Sequence, residues 1–191
     1  AAYSFYATKN MTTGEGGIVL TNNKNIDALS RQVINHGRAG HSTHTVLGYN
    51  YRLTNIAAAM GIEQCKEIEK WTKQRIKNAS LLSNGLKGLD FIGVPYVPKG
   101  SVHVFHQYTV RIKNGLRDKF MKYLQKNGIG CGIYYPEVIY KQPLYKDLGY
   151  KKVSCPQAEQ AVKEVLSLPV HPALNDKDIK FIINTIRNFK K

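Results

Sequence analysis

The chain has 191 residues, 42% hydrophobic and 21% charged, enough for one or two globular domains with a buried core. No apolar run approaches the ~20 residues that cross a bilayer, and the opening Ala1-Ala2-Tyr3-Ser4 has neither the basic head nor the apolar stretch of a signal peptide, so no membrane span or secretory leader is expected. The 28 Lys and Arg against 13 Asp and Glu leave a net charge of +15, which suits an anionic ligand, a nucleic acid or an acidic neighbour.

In chain order, a strand leads into a polar loop that carries Lys9. The glycines of Gly14-Glu15-Gly16-Gly17 then allow a tight reversal into the apolar strand 17–21. Asn25 or Asp27 is placed to cap a helix through Ile26 to Ile34, ended by His36-Gly37. A polar, histidine-containing loop follows from Arg38 to Leu47. Thr54 or Asn55 begins a long helix in which Ile56, Ala59, Met60, Ile62, Ile68, Ile76 and Leu82 recur at helical intervals to about Leu86. Residues 94–101 are polar and proline-rich, which suits a linker. Beyond it the pattern predicts a strand over 102–112, a helix over 116–127, a strand over 130–135, a helix over 156–165 and a last helix from Asp176 with Ile179, Ile182, Ile183 and Ile186 on one face. The fold class is therefore mixed α/β.

The basic residues fall along helix faces, such as Lys66, Lys70, Lys73, Arg75 and Lys77, and read as solvated surface. No zinc-finger, RNP-like or glycine-clamp pattern supports nucleic-acid binding, so neither nucleic acid nor membrane is expected as a partner. Cys65, Cys131 and Cys155 are odd in number and scattered, with no C-x-x-C spacing, which suits a reducing, cytoplasmic setting. His36, His41 and His44 lie in or beside one loop without a nearby thiolate or carboxylate set. His103 and His106, three apart on the expected strand, would face opposite ways, and no metal site is expected.

Chemistry is concentrated in the first twenty residues. Lysine forms a Schiff base with an aldehyde cofactor when its amine is held fixed and deprotonates readily. Tyr3, Phe5 and Tyr6 would bury the approach to Lys9, and Ser4 and Thr8 supply hydroxyls. On the residues alone, Lys9 also reads as an ordinary solvated loop lysine.

The string Ser4-Phe5-Tyr6-Ala7-Thr8-Lys9-Asn10-Met11-Thr12-Thr13-Gly14-Glu15-Gly16-Gly17 resembles the Schiff-base segment of the DegT-type nucleotide-sugar aminotransferases, pyridoxal-phosphate enzymes of fold type I. Gly48-Tyr49-Asn50-Tyr51-Arg52-Leu53-Thr54-Asn55 and the segments 103–111, 128–136 and 166–172 are similar to further stretches of that family, with Asn55 where an aspartate is more usual. The resemblance runs from the first residue to about residue 187. It implies the C-terminal part of a fold type I large domain, including the long connecting helix, over 1–95, and the small C-terminal α/β domain over 96–191.

The resemblance also implies roles. Lys9 would hold pyridoxal 5'-phosphate and act as general acid and base. Ser4 matches a serine on the cofactor phosphate, although a strand-end hydroxyl bonded to backbone is the plain alternative. Asn50 matches an asparagine that reaches the partner's phosphate across a homodimer, and a turn residue is its alternative. Tyr51 and Arg52 would meet the nucleotide diphosphate, or Arg52 would make an interface or helix-start salt bridge. Tyr134 and Tyr135 lie where relatives often carry a histidine or aromatic residue near the sugar.

Lysine at position 9, where sugar dehydrases of the same fold carry histidine, points to transamination. An amino donor, with glutamate expected, would aminate a keto group of a nucleotide-linked deoxysugar in polysaccharide biosynthesis. The reading from another class is a regulatory or interaction module without catalysis. The part of such enzymes that precedes the lysine, nearly half the polypeptide, is expected as a partner, and this chain alone is expected to be inactive.

Overall fold

The computed structural model describes all 191 residues, and the chain divides into two compact units, Ala1–Lys70 and Trp71–Lys191. The division falls inside the long helix α2 (Asn55–Gly85), while the proline-rich stretch expected as a linker lies within the second unit. Burial is the reason: Ala79 and Leu82 of α2, and Leu86 just past its end, are already part of the second unit's core.

In the first unit, β1 (Ala2–Ser4) pairs antiparallel with β2 (Gly17–Val19), Ala2 opposite Val19 and Ser4 opposite Gly17. Helix α1 (Lys24–Val33) is capped by Asn23, whose side chain accepts the amides of Asn25 and Ile26 at 2.9 and 3.2 Å. The cap is neither Asn25 nor Asp27, because both already lie inside the helix, and the side chain that accepts the first free amides belongs to the residue before it, Asn23. The helix is followed by two residues in left-handed conformation, His36 at φ 58° and Gly37 at φ 73°. Within the segment read as a loop, β3 (Arg38–Ala39) and β4 (Thr43–His44) form a small hairpin. None of the buried hydrophobic residues lies in this unit, and Ile18, Val19, Leu20, Ile26, Leu29, Leu47 and Ile56 are exposed.

The second unit is built on the antiparallel sheet β5 (Ile92–Gly93), β6 (Tyr108–Ile112) and β7 (Val165–Leu168), with β6 in the centre. Strand alternation buries Tyr108, Val110 and Ile112 completely, with Thr109 and Arg111 on the opposite face. Helices α3 (Arg117–Lys126) and α6 (Asp176–Arg187) add Phe120 and Leu124, and Ile179, Ile182 and Ile186, at helical spacing. Asn175 and Asp178 form a capping box at the start of α6. Gly85 is required where α2 meets α6, since a Cβ there would sit 2.4 Å from Ile183 Cδ1. Phe91, Phe120 and Phe189 pack edge-on and tilted, with ring centroids 4.9 to 5.6 Å apart.

Three expectations are corrected here. The strand predicted over 102–112 begins only at Tyr108, because Phe105 takes a left-handed conformation (φ 44°) and its amide donates to His103 Nδ1 at 2.9 Å. His103 and His106 are therefore not on one strand. Second, the strand predicted over 130–135 shrinks to a single bridge from Gly132 to Ser167. That position faces β7, a strand the sequence pattern did not predict after helix α5 (Pro156–Glu164). Third, Arg75 is not a solvated surface cation: it is 8% exposed and donates to the carbonyls of Phe105 and His106 at 3.2 and 3.3 Å. Between residues 136 and 155 the chain forms only the short helix α4 (Pro143–Asp147) and two 3-10 turns.

Phe120 is completely buried among aromatic rings, so Phe120→Ala should destabilise the chain by about 3–5 kcal/mol. Chemical denaturation of both forms measures this. A loss below about 1 kcal/mol would show that the neighbouring rings close the cavity.

Candidate active site

Lys9 is carried by a loop whose two ends meet on one residue. The Phe5 amide donates to Gly16 O (2.9 Å), and the Phe5 carbonyl accepts from the Thr13 amide (2.9 Å) and from Thr12 Oγ1 (3.0 Å). Between these closures the Lys9 amide donates to Tyr6 O at 2.9 Å, forming a turn that presents the lysine. Gly14 and Gly16 take φ 78° and 142° on the return. A Cβ on Gly16 would stand 2.7 Å from Thr13 Oγ1 and 2.8 Å from Leu53 Cδ1, so the reversal accepts only glycine there.

Helix α2 holds the far side of the loop. Gln64 Oε1 accepts the Thr12 amide at 2.8 Å, Gly61 lies against the buried Thr13, and the Cys65 sulfur is 3.9 Å from that of Met11. Gln64 was not visible as a site residue in the sequence. The available signal was the spacing of Gly61, Gln64 and Cys65 on one helix face, which has meaning only once the loop is known to lie on it. The expected aromatic cover is a weaker feature than foreseen, because Tyr3 and Tyr6 are 54% and 47% exposed.

Asn50, Tyr51 and Arg52 are positioned by main-chain bonds to the end of α1. Tyr49 N donates to Val33 O (2.7 Å), His36 N to Tyr49 O (2.9 Å) and Tyr51 N to Ile34 O (3.0 Å). The approach is so close that a Cβ on Gly48 would lie 1.9 Å from the Gly37 nitrogen. Tyr49 and Tyr51 stack at 4.9 Å. Arg52 Nε donates to Asn50 Oδ1 at 2.9 Å, and Tyr51 and Arg52 line a cleft of about 540 Å³ with Thr13, Glu15, Gly16, Gly17 and Thr54.

This unit offers donors of the kinds that an anionic aldehyde takes. Ser4 Oγ accepts the Tyr6 amide at 3.3 Å, which leaves the hydroxyl proton to be donated elsewhere. The bond from Arg52 occupies Asn50 Oδ1, which leaves the Asn50 amide as a donor. An amine, a hydroxyl and an amide are group types that can bind a phosphate-bearing carbonyl compound, and the structure records no contact that joins Lys9, Ser4 and Asn50 to one another.

Tyr134 and Tyr135 belong to the second unit and are exposed, their rings 6.0 Å apart and edge to face. The Tyr134 ring lies over Gly132, where a Cβ would approach Tyr134 Oη to 2.9 Å. The chain that follows them is fastened at one carboxylate. Glu159 Oε1 accepts from Tyr140 Oη (2.7 Å) and Ser154 Oγ (3.4 Å), Glu159 Oε2 pairs with Lys141 Nζ (3.0 Å), and Tyr140 Oη takes the Cys155 amide (2.9 Å). The Tyr140 hydroxyl first, and then Lys141, hold the Glu159 carboxyl below its ordinary pKa.

A depressed carboxylate pKa contributes stability that is present above the unfolded value and is lost as pH falls through the folded value. The Glu159→Gln variant should lack this component of acid destabilisation. Unfolding followed over the acidic range checks it, and parallel pH profiles for both forms would remove Glu159 as the fastening group.

The model of the DegT/DnrJ/EryC1/StrS aminotransferase family matches residues 1–187. Among curated proteins, the chain is 37% identical over 192 residues to a pleiotropic regulatory protein of Geobacillus stearothermophilus, covering 99% of this chain and 51% of that protein. It is 33% identical over 186 residues to the UDP-N-acetyl-3-dehydro-alpha-D-glucosamine 3-aminotransferase of Acidithiobacillus ferrooxidans, covering 97% and 49%. Among solved structures, S. venezuelae DesV in complex with a ketimine intermediate superposes with a TM-score of 0.92 at 31% identity, covering 98% of this chain and 50% of that one. The chain thus spans about half the length of the relatives it matches.

Proposed function

Because the chain belongs to the DegT/DnrJ/EryC1/StrS aminotransferase family, we propose that it forms the lysine-bearing part of a pyridoxal-phosphate-dependent aminotransferase acting on a keto group of a nucleotide-linked sugar, with glutamate as donor. The observation that carries this reading is the closed loop that presents Lys9, fixed at Phe5 and at Gln64. The Acidithiobacillus relative is named as a sugar 3-aminotransferase, which supports carbon 3 as the site of amination.

When bound, pyridoxal 5'-phosphate supplies a carbonyl that captures amines and a ring that accepts electrons. Lys9 Nζ would hold it and then move the proton between the substrate carbon and the cofactor's C4′ carbon. The Ser4 hydroxyl would donate to the phosphate, and the Asn50 amide would do the same for the site of a second subunit. Arg52, aligned by its bond to Asn50, and Tyr51 would orient the substrate's diphosphate. Tyr134 and Tyr135 would border the sugar. In this reading residues 1–95 are the end of the cofactor-binding domain and 96–191 the small domain, working in a cytoplasmic homodimer. The apolar surface left open on the first unit, Ile18, Val19 and Leu20 included, supports burial against further protein.

A second reading rests on the name of the Geobacillus relative: a regulatory module without catalysis. The complete protein decides between them, since absorbance of a cofactor–lysine adduct and amino transfer belong to the enzyme alone. The 191 residues assayed alone are expected to give no turnover.

In the complete protein, Lys9→Ala should abolish transamination and leave the unfolding midpoint nearly unchanged, because a loop lysine adds little to a core. Borohydride reduction with peptide mapping should place the phosphopyridoxyl group on Lys9, and labelling at another lysine overturns the assignment. Mixing Lys9→Ala and Asn50→Ala subunits should restore part of the activity through one intact site per heterodimer. If heterodimers form without activity, Asn50 does not serve the neighbouring site.

A further inference from the structure

The positive charge read in the sequence as lying along helix faces is partitioned by the fold. Trp71–Lys191 holds 21 of the 28 basic residues and eight of the 13 acidic ones, so it carries +13 of the +15. Within that unit two neighbouring helices, α3 and α6, carry seven of the 21 basic residues against three acidic ones. Tyr123 Oη of α3 donates to Thr185 O of α6 at 3.0 Å, and Lys119 Nζ lies 5.7 Å from the centre of the Phe189 ring, so the two helices run side by side in opposite directions. Lys119, Lys122 and Lys126 recur at helical spacing on the exposed side of α3. Lys177, Lys180, Phe181 and Asn184 do so on α6, with Lys190 just beyond its end.

The acidic groups of the two helices are all engaged. Asp118 pairs with Arg117 (2.8 Å), Asp176 with Lys77 (2.6 Å), and Asp178 accepts the Asn175 amide in the capping box (2.9 Å). Lys122, Lys126, Lys177, Lys180 and Lys190 make no ion pair. In the middle of these cations stands Phe181, 54% exposed and away from the core.

The chemistry of the face selects the partner. Arginine's planar fork suits individual phosphates, yet the arginines here are occupied, Arg187 with the carbonyls of Gly85 and Lys87 and Arg117 with Asp118 and Val162 O. The free charges are all lysines, strongly hydrated point charges that are attracted to a diffuse negative surface without reading its geometry. One exposed phenylalanine among them is a group for shallow insertion, and no second aromatic residue is exposed on α3 or α6 to make a platform for stacked bases.

We propose that the α3–α6 face docks on an anionic phospholipid surface, through Lys119, Lys122, Lys126, Lys177 and Lys180 with Phe181 inserted among the headgroups. No helix of the chain is long and apolar enough to cross a membrane, so this contact is peripheral. It is independent of whether the chain belongs to a catalyst.

Sedimentation of the protein with vesicles tests it. Binding is expected to phosphatidylcholine vesicles containing phosphatidylglycerol, and neither to phosphatidylcholine alone nor at about 1 M salt, where the Debye length is ~3 Å. Each lysine removed should lower the partition coefficient by about fivefold, so that Lys122→Ala, Lys126→Ala and Lys180→Ala together lower it by roughly a hundredfold. Phe181→Ser should weaken binding at unchanged charge. All these positions are exposed, and unchanged thermal unfolding confirms that the variants fold. A control removing Lys146, Lys151 and Lys152 from the segment before α5 should bind nearly as well as the parent. Absence of binding, equal losses in the control, or binding indifferent to Phe181 and displaced by duplex DNA would each overturn the proposal.

Discussion

A tyrosine hydroxyl taken completely out of water needs a partner, and the second unit is arranged around the one that Tyr108 finds. Its Oη lies 2.9 Å from Ser83 Oγ of α2, and burial pushes the phenol up to about 12. That bond fixes the central strand against the helix. The same stretch of α2 supplies Asn78, which is fully buried and donates to the carbonyls of His171 and Leu174, and Arg75, which donates to those of Phe105 and His106. One helix thus satisfies carbonyls of the segment before β6 and of the segment after β7, which lie at the same end of the ladder because Tyr108 is opposite Leu168. Burial alone depresses the Arg75 pKa, and the bonds from its Nη1 to the carbonyls of Phe105 and His106 offset part of that cost while they hold the left-handed turn at Phe105.

The first unit is held in another way. It has no buried hydrophobic residue, and its loops are closed by hydrogen bonds: Phe5 to Gly16 and Thr13, Thr12 to Gln64, Tyr49 and Tyr51 to the end of α1. Such bonds set geometry more than stability, since each contributes only about 0.5–1.5 kcal/mol net. A unit of this kind presents its polar groups accurately and leaves apolar side chains such as Ile18, Val19 and Leu20 exposed.

Charge follows the same division of labour. The first unit is close to neutral, so the cationic groups near its cleft are few and individually placed, as Arg52 is by Asn50. The second unit has an excess of lysines on α3 and α6, where solvent screens them and Lys122, Lys126, Lys177 and Lys180 pair with no carboxylate. A field summed over a surface and a single oriented guanidinium are different instruments, and the chain places them in different units.

The sequence by itself determined what depends on neighbours along the chain. The 3.6-residue recurrence of Ile179, Ile182 and Ile186 gave α6, the run from Asn55 gave α2, the glycines after Thr13 gave the reversal, and the fourteen residues around Lys9 gave the family. Only the tertiary structure decided what depends on residues far apart. Arg75 looks like any lysine or arginine of an amphipathic helix until Phe105, thirty positions later, folds onto it. Leu166 to Leu168 carries no element in the sequence pattern until β6 offers a ladder, and Gln64 is one more polar helix residue until Thr12 turns its amide toward it. Local periodicity records which side of an element is apolar. It holds no information about which distant carbonyl or amide will meet that side, and those meetings built the core and tied down the loop of Lys9.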